Sequence, residues 1–152
     1  MFAGVEEAMA SIGFDEKEMF WMWALVTSVL KLGNISFGAA EEAAVATPGV
    51  ASEVAELLRF RGQALIDALT TRRIKAGSDW ISSPNTREVA TNMRDGFAKA
   101  IYSRVFQWLV VRINMNLFRE GEGVNQAKFF IGILDIFGFE IFEVNSLEQL
   151  CI

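Results

Sequence analysis

Histidine does not occur in these 152 residues, and Cys151 is the only cysteine. With one thiol there is no disulfide framework, and without histidine neither a Cys/His zinc site nor a Ser-His or Cys-His nucleophile pair can be built. Proline is scarce, at 2 residues, and with 12 glycines the composition excludes a collagen-like or Pro-rich linker chain. Long apolar runs are missing too. The longest uncharged stretch, Met19 to Leu30, stops after 12 residues at Lys31, whereas a membrane span needs about 20; the run reads as a buried helix. The first turn-lengths of chain carry Glu6, Glu7, Asp15, Glu16 and Glu18, the opposite of a basic leader followed by an apolar segment. These absences together predict a soluble chain of a reducing, intracellular compartment.

What the chain does have is apolar and aromatic bulk: 52% hydrophobic residues, 13 Phe and 4 Trp against 22% charged residues. That excludes intrinsic disorder and is enough for one domain-sized core. The net charge of −5 hides an asymmetry. Between Leu57 and Arg119 stand 11 Lys/Arg against 4 Asp/Glu, and the remainder is strongly acidic. A basic middle in an acidic chain can face an anionic partner, although arginines spread along a long helix also make an ordinary solvated face. Nothing in the stretch matches a nucleic-acid-binding pattern, so no nucleic-acid partner is expected.

Local signals order the elements. Asp15-Glu16-Lys17-Glu18 has an N-cap followed by acids in the first turn and leads into the apolar stretch to Leu32. Gly33-Asn34 reads as the helix stop, with glycine at the position that tolerates left-handed geometry. Ile35-Ser36-Phe37 alternates like a short strand, and Gly38 to Gly49 is small, acidic and without period, a surface loop. A helix is predicted from Ser52, with Val54, Leu57, Leu58, Leu65, Ile66 and Leu69 at helical spacing and a break at Gly62. Two short alternating runs around Gly77, Arg72 to Ala76 and Asp79 to Ile81, predict a β-hairpin. Ser83-Pro84 suits the cap and first turn of another helix. Val89, Met93, Phe97, Ile101, Val105, Leu109 and Ile113 then recur every fourth residue, which predicts one helix of about 30 residues that buries its apolar face along most of its length. Arg119 to Gln126 reads as a turn.

The end of the chain carries the pattern with the most chemistry in it. Phe129 to Asp135 is an apolar run closed by an acid, as in a buried central strand whose last residue emerges at a sheet edge, and Ile136-Phe137-Gly138-Phe139-Glu140 follows directly. A strand-terminal carboxylate can hold magnesium through water, and a glycine three residues later can offer its N–H to a terminal phosphate without a side chain in the way. An apolar strand entering an ordinary turn gives the same letters. Asn145-Ser146-Leu147-Glu148 has the form of a capping box opening a further helix.

Asp135-Ile-Phe-Gly-Phe-Glu140, with Phe142 and Asn145-Ser-Leu-Glu-Gln-Leu-Cys-Ile152, closely resembles the switch II loop and relay-helix start of the myosin motor (head) domain. Leu30-Lys31-Leu32-Gly33-Asn34-Ile35-Ser36-Phe37 is similar to that family's leucine-glycine-asparagine-isoleucine turn, with Lys31 where histidine is more usual. Arg94-Asp95-Gly96-Phe97-Ala98-Lys99-Ala100-Ile101-Tyr102 is similar to its arginine-aspartate-alanine-leucine-alanine-lysine helix, departing at Gly96 and Phe97, and Phe106 to Val110 with Ile113-Asn114 continue it. The resemblance implies an α/β fold class: a mostly helical portion of a P-loop NTPase-type motor with one central-sheet strand and a short β-hairpin. It implies that residues 1–152 run from the upper fifty-kilodalton subdomain through switch II to the start of the relay helix. Neither the Gly-Lys dipeptide of a phosphate loop nor the family's asparagine-serine-serine-arginine switch I occurs in the sequence, and the lower subdomain, converter, lever and tail are expected to lie outside it.

The family pattern assigns roles residue by residue. Asp135 is expected in the second shell of Mg2+, through water, and Gly138 N–H at the γ-phosphate. Ile136, Phe137 and Phe139 complete the nucleotide-binding loop. Glu140 is expected to pair with a switch I arginine, closing the pocket around the attacking water. The hairpin falls where the family places an actin-binding loop, so Arg72, Arg73 and Lys75 are expected to face actin, with Asp79 at the position of a fixed acid or phosphorylatable residue. The implied cofactors are ATP and Mg2+, and the implied partner is the actin filament. Light chains are expected only through the lever, with no direct membrane contact from this segment, and the location is the cytoplasmic actin cytoskeleton. The isolated segment is expected to be inactive and to fold poorly. The alternative is a truncated, non-hydrolysing piece that docks on actin; an unrelated small nucleotide-binding protein is disfavoured by the missing phosphate loop.

Overall fold

The computed structural model describes residues 2–117, 131–132 and 142–145, and the chain divides into two units, Met1–Leu117 and Phe118–Ile152. Within the first unit, helix α1 (Phe2–Ser11) precedes α2 (Glu16–Gly33). The cap on α2 is the expected one. Asp15 Oδ1 accepts the Glu18 N–H at 2.8 Å while Glu18 Oε2 accepts the Asp15 N–H at 3.0 Å, a reciprocal capping box.

At its other end α2 does stop at Gly33, but not by left-handed glycine. Asn34 follows in the right-handed region (φ −89°), and the Asn34 and Ile35 N–H groups bond three residues back, to Lys31 and Leu32 carbonyls at 3.0 Å. That tightened last turn aims Ile35 into the core, where it is completely buried. Ile35 to Phe37 forms no strand; Phe37 makes a single antiparallel bridge with Val45. The loop from Gly38 is therefore folded back on itself, with Gly38 N–H to Ala44 O and Ala46 N–H to Ser36 O, both 2.8 Å.

Helix α3 (Pro48–Leu57) starts four residues ahead of the predicted Ser52, because Pro48 occupies the first turn, where its missing N–H costs nothing. Its C-terminus closes through Arg59, a non-glycine residue at φ 59°, whose N–H bonds Glu56 O at 3.1 Å while Phe60 N–H reaches Ala55 O at 2.7 Å. The break comes at Leu58–Arg61, and Gly62 opens the next helix, α4 (Gly62–Thr70), instead of interrupting one.

Strands β1 (Thr71–Ala76) and β2 (Asp79–Pro84) form a two-stranded antiparallel sheet, as the sequence predicts. Pro84 ends β2 and does not start a helix: its neighbour Asn85 is pulled into the core, and Thr86 takes the cap, its Oγ1 accepting the Val89 N–H at 3.3 Å. Helix α5 (Arg87–Leu117) then runs 31 residues.

Two apolar clusters lie along α5. One joins Leu32, Ile35, Val54, Ala55, Leu65 and Ala90, the other Met9, Phe14, Met22 and Val105, and Ile101 packs against both. The four-residue stripe of α5 does face them, yet only Ala90 and Val105 on this helix are buried, and Met93 and Trp108 stay exposed. The buried helix expected over Met19 to Leu30 is buried on one side: Met22, Ala24, Ser28 and Leu32 face inward while Phe20, Trp21 and Leu30 are exposed. Each helix buries only the stripe that faces the core it shares with its neighbours. Among the described residues no helix is long and apolar enough to cross a membrane. The predicted turn at Arg119 to Gln126 lies outside the described residues, as does the strand Phe129 to Asp135 apart from Ile131 and Gly132.

Candidate functional site

The β-hairpin is the predicted site that the structure describes in full. Its two-residue turn is Gly77-Ser78, with Gly77 at φ 64°, the positive angle that the first central position of a type II′ turn demands. The register pairs Arg72 with Ser83, Arg73 with Ser82, Ile74 with Ile81, Lys75 with Trp80 and Ala76 with Asp79. Directly opposed residues share a face and neighbours along a strand do not. Arg73, Lys75, Trp80 and Ser82 therefore lie on one face, and Arg72, Ile74, Ile81, Ser83 and Asp79 on the other. The four residues expected to act together are divided two and two.

The Arg73 guanidinium carbon sits 5.3 Å above the centre of the Trp80 ring. Trp80 is 58% exposed, Ile81 55% and Ile74 44%, so neither face of the ribbon is covered by the unit it grows from. At the tip, Ser78 Oγ lies 3.5 Å from Asp79 Oδ1.

The root of the ribbon is held by Asn85, which is 1% exposed. Its N–H bonds Thr70 O at 2.7 Å, its carbonyl accepts Ala43 N–H at 2.8 Å, and its side-chain Nδ2 donates to Leu69 O at 3.0 Å and to Met93 Sδ at 3.3 Å. One residue thus ties together the end of α4, the folded loop and α5. A polar residue straight after Pro84 was the available signal; that it turns inward was not readable from pattern.

The basic middle of the chain turns out to have several destinations. Arg94 is turned inward: Nη1 donates to Ile35 O at 2.6 Å and Nε to Asp95 at 2.8 Å. Arg112 grips Glu18 with both edges, Nε to Oε1 at 2.6 Å and Nη2 to Oε2 at 3.0 Å, and also donates to Gly13 O at 2.8 Å. It additionally bonds Asn116 and lies 5.3 Å from the Phe14 ring centre. This contact joins α2 to the far end of α5. Hydrogen bonds from Arg112 first, then from the Asp15 N–H, hold the Glu18 carboxyl below its ordinary range against partial desolvation, and the same pairing raises Arg112. Lys31 pairs with Glu53 between α2 and α3. The hairpin cations Arg72, Arg73 and Lys75 have no such ion pair among the described residues and remain exposed.

The residues assigned to nucleotide, Asp135, Ile136, Phe137, Gly138, Phe139 and Glu140, lie outside the described residues. Just beyond them Asn145 closes a small loop: its Oδ1 accepts the Phe142 N–H at 3.0 Å and its Nδ2 donates to Phe142 O at 2.7 Å. Glu148, the other half of the expected capping box, is again outside. Among the described residues no group of three His, Cys, Asp or Glu could hold a metal ion.

A family model for the myosin head (motor domain) matches residues 1–152, and the chain belongs to that family. Among curated proteins it is similar to unconventional myosin-Ic of Gallus gallus and of Danio rerio, each 41% identical over 152 residues, covering 97% of this chain. It is 40% identical over 152 residues, or 99% of its length, to unconventional myosin IC of Drosophila melanogaster. In each case the chain spans 15% of the relative's length.

Proposed function

We propose that this chain works as part of an actin-based motor: the polypeptide carrying it in a complete head binds and hydrolyses ATP with Mg2+ and couples the cycle to force on actin filaments. The myosin-head match over residues 1–152 is the observation that carries this reading. On it, the chain contributes a stretch of a P-loop NTPase-type fold, from the upper fifty-kilodalton subdomain through switch II to the start of the relay helix. The phosphate loop, switch I, lower subdomain, converter and lever come from elsewhere in the head, and light chains bind only at the lever. The location that follows is the cytoplasmic actin cytoskeleton.

The donor set suits the group it is assigned. Asp135 offers a hard carboxylate oxygen of the kind magnesium takes directly or through water, and Gly138 leaves its N–H approachable by phosphate. Bound Mg2+ supplies charge neutralisation at the transferred phosphoryl group. Asp135 would hold the ion through a water, Gly138 would donate its N–H to a γ-phosphate oxygen, and Glu140 would pair with an arginine to close the pocket around the attacking water. Phe137 and Phe139 pass the loop's movement on towards the relay helix expected to begin near Asn145.

The hairpin is the docking element, where Arg72, Arg73 and Lys75 meet the acidic filament surface, and Asp79 supplies a fixed charge at its tip. Contacts of this kind raise the encounter rate and weaken with salt.

The test is Glu140→Ala in a full-length motor. ATP binding should persist, since the phosphate loop is intact, while hydrolysis falls by about 100-fold or more. Normal steady-state turnover would refute the assignment.

A further inference from the structure

The register of the hairpin separates its charges in a way that assigns them different work. One face carries two cations and no acid, with Arg73 lying over the exposed Trp80 and Lys75 directly opposite that ring. The other carries one cation and one acid at its two ends, with the exposed Ile74–Ile81 pair between them. Arg72 and Asp79 are separated by roughly 13 Å along that face, at about 3.3 Å per residue, so they do not pair with each other.

We infer that the ribbon reads the acidic surface of the actin filament through the Arg73–Lys75–Trp80 face alone. This rests on the actin-docking reading and narrows it to three residues, one of which, Trp80, was not among the expected contacts. The physical grounds are charge and preorganisation. Only this face has net positive charge to complement carboxylates. Stacking on Trp80 holds the Arg73 side chain in one place before the partner arrives, so less rotamer freedom is lost on docking, while its N–H edges stay available for a carboxylate. An exposed tryptophan beside a cation, ringed by polar neighbours such as Ser82, is also the composition of an interface anchor.

Adjacent positions give a matched experiment. Arg72→Glu and Arg73→Glu introduce the same charge change on neighbouring exposed residues of one strand, and differ only in the face they occupy. In the full-length motor, filament cosedimentation at two ionic strengths should show about a tenfold or greater loss of affinity and a flatter salt dependence for Arg73→Glu. Arg72→Glu should change affinity less than about threefold, through the long-range field alone. Arg73→Lys, which keeps the charge without the planar stack, should recover most but not all of the affinity, and Trp80→Ala should exceed Ile81→Ala. Equal losses for the two glutamates would overturn the face assignment and leave hairpin docking standing. No loss for either would overturn both.

Discussion

The packed helices and the ribbon that projects from them hold their shapes by different means. Among the helices, Leu32, Ile35, Ala51, Val54 and Ala90 are all 0% exposed and belong to one cluster that joins four elements and the turn after α2. Among the ribbon residues whose burial is described only Thr71 and Ser83 are half-covered, and the large side chains Ile74, Trp80 and Ile81 face solvent. A lone two-stranded hairpin is at best marginal in water. What keeps this one formed is the turn at Gly77, six register pairs and the buried root at Asn85. Residues that make the helical core are therefore bound to its stability, while those of the ribbon are free to serve a partner.

The strongest way to sharpen that contrast is to truncate one side chain in each region. Leu32→Ala should cost about 2–5 kcal/mol, the transfer of a buried leucine plus the cavity left behind, read by urea unfolding of the full-length motor. Ile81→Ala on the ribbon should stay within about 0.5–1 kcal/mol. Comparable losses would mean that the ribbon is packed after all. The root should fall between these extremes. Asn85→Ala removes the donor to Leu69 O and leaves that carbonyl buried without its partner, at about 1–3 kcal/mol. It should also raise hydrogen exchange at residues 71–84 more than in α3; a uniform increase would deny Asn85 its special place.

The smallest effect concerns the contact in which Glu18 and Arg112 join α2 to α5. Because the folded-state carboxyl lies below its ordinary range, the unfolded chain binds the proton more readily. The contribution is thus fully present above the unfolded pKa of about 4.3 and is lost as pH falls through the folded value. Glu18→Gln should abolish this part of the acid destabilisation while leaving stability near pH 7 only slightly lowered. An unchanged acid limb would show that the pair contributes nothing.

The elements legible in the sequence were those fixed by near neighbours. Asp15 and Glu18 are three residues apart, the turn at Gly77 is two residues long, and α5 repeats its stripe seven times, so cap, hairpin and long helix all read correctly. What could not be read depended on distance or on what covers a surface. Helix α1, with neither a strong stripe nor a cap, gave no signal. The Arg112–Glu18 contact joins residues 94 apart, and no local pattern encodes it. Phe20, Leu30 and Trp108 are exposed because each helix buries only the stripe that faces the shared core, whereas an apolar run alone reads as buried. Charge counting saw one basic region; the structure turns Arg94 and Arg112 inward and leaves the hairpin cations outside. The nucleotide loop from Asp135 to Glu140 was legible only through its resemblance to a family, since an acid and a glycine after an apolar run fit many turns.

Hydrogen–deuterium exchange on the full-length motor, with and without actin, decides whether the ribbon is shaped by local chemistry and then completed by a filament, as proposed. Amides of residues 71–84 should exchange quickly in the free protein and become protected on the filament, while those around Leu32, Val54 and Ala90 stay slow in both. Strong protection of the ribbon without actin, or none gained with it, would contradict the account.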